Sequence, residues 1–378
     1  MTISSSLPTQ KMSINTNSVI VGVDVHKYSH TAVAMNPWGQ EKATLTFSND
    51  NLPDFIAWLE GLGDRASVVV ALEDVNSYGV HLVKVLIREK FPIRYVPAIL
   101  TERERKTSTK RHKSDHVDAK RVGRVLLTKY DETLPARESI ATTDELEVGT
   151  TLDLLLMERR DLVRNQTMLK NQLHALLHQY YGDHYADQFT RAFNRQAVEF
   201  YEDDLLSPRE GQGLLATSIL RRLRRLTLLE EQIATITKEI VNVGDRSEAV
   251  VALYHELHGC GMITAAAIVA ETTTIRRFPT KSKFATYAGV APTDHSSGQH
   301  VRLHTNPFGN RRLNKALHSV ALSQIAIKGD PRGKEYFKRK VEEGKTKLWA
   351  LRCLKRQIAN QVYRILLRAS IPHLPLAV

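Results

Sequence analysis

Two stretches of the chain repeat an apolar residue every seven positions. Leu155, Leu162, Leu169 and Leu176 form the first, with Leu173 between them. Ile219, Leu226, Ile233 and Ile240 form the second, accompanied by Leu229, Ile236 and Val243. Seven residues are close to two helical turns, so each stretch calls for a long helix with one apolar seam. That seam has to be covered. Two such segments suggest an antiparallel coiled-coil hairpin or an oligomerisation arm, and two ordinary bundle helices satisfy the same pattern. In each case residues 145–245 form a helical region with a different domain on either side.

The preceding part, residues 18–130, has a different period. "VIVGVDV" at 19–25 is a β-branched apolar run of buried-strand type, and "TAVAM" and "ATLTF" follow at hairpin spacing. A helical pattern at 51–62, a strand at 67–73, a helix near 79–90 and a strand near 93–96 complete a mixed α/β domain. Residues 99–128 are basic and helical in pattern, with Ala119, Val122 and Leu126 on one side. Residues 1–17 are polar, lack the apolar core of a signal peptide and read as a disordered leader.

Four carboxylates stand out in this domain. Asp24 and Glu73 each end an apolar strand, and Asp115 and Asp118 are three apart on one helix face. If the strands are neighbours, the four acids converge. Anions so placed repel unless a cation neutralises them or their pKa values rise. Mg²⁺, or Mn²⁺ in its place, suits such hard oxygen ligands and serves phosphodiester chemistry. Asp74, directly after Glu73, is a competing ligand.

The charge around the acids names the partner class. Lys plus Arg is 53 against 41 for Asp plus Glu, a net charge of +12, which favours a polyanion. Lys110, Arg111, Lys113 and Arg121 lie in the same segment as the two aspartates, as phosphate contacts would. The two cysteines, Cys260 and Cys353, are far apart; they exclude a disulfide scaffold and fit a reducing compartment. No apolar run reaches membrane-spanning length.

Residues 247–370 are mainly helical in pattern. "LHGCGMITAAAIVAET" at 257–272 has the two glycines of a helix-hairpin-helix-like turn, which offers backbone N–H groups to a phosphate. Downstream, "HSSGQHVRLHTNPFGNRRLNKALH" (295–318) presents Ser296 and Ser297 with Arg302, Arg311 and Arg312, and no adjacent general base. A serine hydroxyl needs a base or a metal to become a nucleophile. His174 and His178, spaced i,i+4, lie inside the heptad region and read as helix-flank residues.

"VGVDVHK", "LEDVNSY", "KSDHVDAKRVG", "LHGCGMITAAAIVAE", "YAGVAP" and the double-serine stretch occur in a familiar order. The chain resembles the insertion-sequence-110-type transposases, also called DEDD or pilin-inversion-type recombinases, from about residue 19 to 368. The resemblance implies an α/β plus α architecture: a RuvC-like domain of ribonuclease-H fold, coiled-coil helices and a mainly helical C-terminal transposase domain. It implies that Asp24, Glu73, Asp115 and Asp118 are the metal-binding catalytic set and that Ser297, with Ser296 as its rival, is the nucleophile. It further implies donor and target DNA as substrates and a structured bridge RNA as guide. A dimeric or tetrameric assembly in the bacterial cytoplasm, on the nucleoid when active, belongs to the same picture. Two other readings fit the acids: a RuvC-like nuclease or junction resolvase without a covalent intermediate, and a non-catalytic nucleic-acid-binding scaffold.

Overall fold

The computed structural model describes residues 14–73, 78–107, 114–136, 139–294, 303–305, 309–326 and 329–370. The first domain is built on one six-stranded sheet. Strands β1 (Val19–Val25), β2 (Ser29–Met35) and β3 (Glu41–Ser48) form an antiparallel meander. On the other side of β1 lie β4 (Val68–Leu72) and β5 (Ile93–Tyr95), both parallel to it, and a short antiparallel β6 (Leu134–Pro135). The strand order is β3-β2-β1-β4-β5-β6.

A parallel pair in the middle of a sheet must be covered on both faces, and the strands are apolar on both for that reason. Val19, Val21 and Val23 with Val68, Val70 and Leu72 pack on one side against helices α1 (Leu52–Leu62) and α2 (Val80–Arg88). Ile20, Val69 and Ala71 face the opposite side, towards α3 (Ala98–Thr107) and α4 (Asp115–Thr128). Each side chain so buried contributes about 1.5–3 kcal/mol. Residues 14–17, expected within the leader, are ordered onto the domain: Asn15 N donates to Ser18 Oγ at 3.0 Å in a turn, and Ile14 packs against the α3/α4 core.

The heptad region is an intrachain hairpin. Helix α5 (Thr143–Tyr181) starts on a capping box, in which Glu145 N donates to Thr142 Oγ1 at 3.2 Å and Thr142 N donates to Glu145 Oε2 at 2.8 Å. After a short α6 (Arg195–Asp204), α7 (Gly213–Asp245) returns antiparallel to it, with Gln166 opposite Glu230 and Arg159 opposite Thr237. The buried stripe of α5 departs from the strict heptad. Leu155, Leu162 and Leu176 are half-buried, whereas Leu152, Leu169, Leu173, Leu177 and Tyr180 are enclosed. A helix with 3.6 residues per turn drifts off a 3.5-residue repeat, so the contact stripe shifts by one position along its length. The far half of the hairpin closes its own core with α6, while Leu152, Ile236 and Ile240 join the core of the last domain.

That domain is helical: α8 (Glu248–Glu256), α9 (Met262–Thr272), α10 (Lys281–Tyr287), α11 (Arg311–Ile325), α12 (Pro331–Glu342) and α13 (Lys347–Ala369), with a two-stranded ribbon β7 (Pro292–Asp294) and β8 (Leu303–Thr305). Phe278, Phe284, Leu317, Val320, Ile358 and Val362 fill its centre. The α8–α9 turn has Gly259 at φ 79°, hard against Ser323 of α11, where a side chain would collide. Among the described residues no helix is long and apolar enough to cross a membrane.

Candidate active site

The site begins with a contact between two backbones. A Cβ on Gly22 would lie 2.1 Å from the Ala119 carbonyl oxygen and 2.4 Å from Gly123 N, so α4 rests directly on β1. Side chains alternate along a strand, so Asp24 shares with Gly22 the face that meets α4. The contact at Ala119 therefore sets the first turn of α4, with Asp115 and Asp118, over the end of β1. Ser114 caps that turn, its Oγ accepting from Val117 N at 3.3 Å.

Asp24, His26 and Asp115 meet there. His26 Nε2 lies 3.1 Å from Asp24 Oδ2 and 3.5 Å from Asp115 Oδ1, and the three offer ligand atoms within 4.8 Å of one another. Burial holds the Asp24 carboxyl above the usual aspartate range; His26 opposes this, and the neighbouring Asp118 and Asp115 charges add to it. Glu73 follows Leu72, which pairs with Val23, so the two strand-end acids are level on adjacent parallel strands and on the same face of the sheet. Thr101 Oγ1 of α3 donates to Glu73 Oε2 at 2.8 Å.

A carboxylate whose ionised form is disfavoured by burial and by like-charged neighbours is a place where a cation would bind. The donors are carboxylate oxygens with one imidazole, a set that can hold a divalent ion. His26 escaped the reading of the sequence. Its signal was the i,i+2 spacing after Asp24, which puts both on one face at the end of a strand.

The four acids differ in their surroundings. Asp118 forms an ion pair with Arg121, and Arg121 is only 6% exposed. Expected on a nucleic-acid surface, Arg121 instead faces inward and balances the acid cluster, because α4 turns that side towards the sheet. On the outer flank of α4, Glu41 Oε1 and Oε2 hold His116 and Lys120, each at 2.8 Å. The hydrogen bonds from Lys120 and His116 depress the Glu41 carboxyl to about 2. This ties the edge strand β3 to α4.

Lys110, Arg111, Lys113, Ser296, Ser297, Arg302 and the competing ligand Asp74 lie outside the described residues. The frame around the serines is described. Strands β7 and β8, which flank the serines in the sequence, pair antiparallel from Pro292–Thr305 to Asp294–Leu303. Below the ribbon, Gly289 (φ 66°) meets Gly309, where a Cβ would lie 2.1 Å from the Gly289 Cα. Asn310 N donates to Tyr287 O at 2.6 Å, and Asn314 Nδ2 donates to the Ala288 and Gly289 carbonyls at 2.9 and 3.0 Å. Arg311 is exposed at the start of α11. Arg312 is held by Asp153 at 2.8 Å and Glu271 at 3.3 Å. His174 and His178 also have protein partners, Tyr185 and Asp183.

Comparison with known families matches both ends of the chain. A model for the DEDD transposase of IS110 type covers residues 21–182, and one described as transposase IS116/IS110/IS902 family covers residues 251–338. The chain belongs to this insertion-element transposase family. The insertion element IS110 uncharacterized 43.6 kDa protein of Streptomyces coelicolor is 25% identical, over 92% of this chain and 94% of its own. The IS116 uncharacterized 44.8 kDa protein of Streptomyces clavuligerus is 23% identical over 94% of this chain and 96% of its own. The IS900 uncharacterized 42 kDa protein of Mycobacterium paratuberculosis is 24% identical over 94% and 97%. The first transposase domain contains all four carboxylates and the second contains both serines.

Proposed function

We propose that the chain is an insertion-sequence DNA recombinase that cuts and rejoins strands through a serine–DNA phosphoester. The observation that carries this is the meeting of Asp24, Asp115 and His26 at the end of β1, with Glu73 level on the next strand, in a chain of the transposase family. An antiparallel meander continued by parallel strands, with acids at the strand ends, supports a RuvC-like ribonuclease-H fold for the first domain.

In this reading Asp24, Asp115, Asp118 and Glu73 hold the divalent ion and His26 braces two of them. When bound, the ion supplies Lewis acidity to a phosphodiester. Arg121 fixes Asp118, and Thr101 orients Glu73. The Ser297 Oγ attacks the phosphorus, its proton leaves to solvent or a base, and the bond to one sugar oxygen breaks. That sugar departs with a hydroxyl end. The phosphoserine keeps the energy of the broken ester, so the strand can be resealed to a new hydroxyl without ATP; attack by water would lose it. Ser297 and the carboxylates lie on different domains, so a serine of one subunit completing the acid site of another would make cutting depend on assembly. Donor and target DNA are the substrates, and a bridge RNA base-pairing with both is the guide in this scheme.

The test is to incubate the protein with Mg²⁺, candidate RNA and element-junction DNA, denature, and look for covalent protein–DNA species. The adduct is expected with the parent chain and with Ser296→Ala, and is expected to vanish in Ser297→Ala. Cleavage without any adduct would instead establish the hydrolytic nuclease.

A further inference from the structure

Helices α11 and α13 contain no Asp or Glu at all. Across them stand nine cations: Arg311, Arg312 and Lys315 on the first, Lys347, Arg352, Lys355, Arg356, Arg364 and Arg368 on the second. Arg312 and Arg368 are paired with acids of other elements. Of the remainder, Lys355 and Arg352 lie together where the two helices adjoin. Lys355 Nζ donates to Asn314 Oδ1 at 2.8 Å, so α13 touches α11 at that point. Helical spacing places Arg311 and His318, three and four residues from Asn314, on its side of α11, and Arg352 one turn from Lys355 on α13.

The electrostatics of this face are unfavourable in the protein alone. Burial, reinforced by the Arg352 charge, pushes the Lys355 ammonium down from its usual range. Burial and the Lys355 charge push the His318 imidazole down as well. Among the described residues Lys355 has no carboxylate partner; its one hydrogen bond goes to an amide. Arg352 lies over the Trp349 ring, 4.7 Å from its centroid, which holds the guanidinium extended without neutralising it. Cations collected on one face without acids form a site for an anion.

The position of this face identifies the anion. The amide of Asn314 that receives Lys355 donates in turn to the Ala288 and Gly289 carbonyls, just before β7, the strand that precedes the two serines in the sequence. A ligand on this face lies beside the residues that lead into β7. We propose that the shared face of α11 and α13 is a second backbone-phosphate site, in which Lys355, Arg352 and Arg311 hold duplex DNA next to the β7–β8 ribbon. Contact with phosphates positions a duplex without reading its sequence, as a recombinase needs at the flank of its cut. Lys355 also couples the bound backbone to the ribbon through Asn314, and so acts as a positioning residue. This rests on the reading above only for its role in strand exchange; the phosphate site itself does not.

The test is equilibrium binding of the full chain to labelled random-sequence duplex DNA in EDTA, where cleavage plays no part, over a series of salt concentrations. Lys355→Gln removes the charge and leaves a polar amide in its place. Lys355→Gln and Arg352→Gln should each flatten the slope of log K against log salt by about 1, and the double variant by about 2. Lys355→Arg should keep the parent slope, and thermal melting confirms that each variant is folded. An unchanged slope in the double variant, or no binding by the parent, overturns the proposal. A change seen only with structured RNA and not with duplex DNA overturns it as well. If the slopes fall as expected while no serine adduct forms in Mg²⁺, the phosphate site stands and the recombinase reading fails.

Discussion

The acid end of β1 and the basic face of α11 and α13 are opposites in sign and alike in design. In the first, Asp24 is partly buried beside Asp115 and Asp118. In the second, Lys355 is partly buried beside Arg352. Each gathers like charges around one group, Asp24 or Lys355, whose charged form is disfavoured, so each would be relieved by an ion of the other sign. The difference lies in the support. The acid cluster has an internal counter-charge, Arg121, and a hydrogen-bonding imidazole, His26, whereas among the described residues Lys355 has only the Asn314 amide. A site with built-in counter-charge can hold its geometry while it waits for one small cation. A face without them suits an extended polyanion that brings many charges.

Four experiments, in falling order of effect, test that comparison. Asp24→Asn should lower strand cleavage and adduct formation by about 10²–10⁴-fold, the range lost with a catalytic or charge-stabilising group. The same change should raise the stability of the metal-free protein, because an ionised Asp24 is disfavoured in the folded chain. Mg²⁺ should then raise the melting temperature of the parent and not of the variant; a variant less stable than the metal-free parent would break the analogy between the two sites.

Gly22→Ala comes next, at about 1–3 kcal/mol in denaturant unfolding, since its methyl would strike the backbone of α4. Gly123→Ala should cost less, because the obstacle there is the end of the flexible Met35 side chain. Equal losses would mean that the β1–α4 contact does not set the acid site. Lys355→Gln, without DNA and at low salt, should stabilise by about 1 kcal/mol or less, the counterpart of Asp24→Asn at the opposite sign. Glu41→Gln should have the smallest effect. With a carboxyl lowered to about 2, Glu41 contributes stability above its unfolded value near 4.5 that is lost as pH falls towards 2. The exposed pairing limits that to about 1 kcal/mol or less, seen as a smaller acid-limb slope in the variant.

Much of this was legible in the chain. The strands at 19–25 and 67–73 follow from β-branched apolar runs, and the long helices from their seven-residue period. The acids at the strand ends were visible because a charged residue closing an apolar strand breaks the pattern locally. Helix α6 and helix α12 were not, since both are short and polar, and a ten- or twelve-residue amphipathic pattern is weak beside the long repeats. The inward turn of Arg121 was hidden for a related reason: a basic residue in a basic segment looks exposed until the helix is laid on its sheet.

The sequence by itself determined the order of the domains, the four acids, the paired serines and the excess of positive charge. These are properties of residue type and local period, and they survive without coordinates. Tertiary structure alone decided that α4 crosses β1 at two glycines, so that Asp115 meets Asp24 and His26. It also decided that Lys355, some forty residues along the chain from Asn314, stands beside it. Both meetings depend on which backbones approach, and close approach is set by packing between elements that the one-dimensional pattern does not connect.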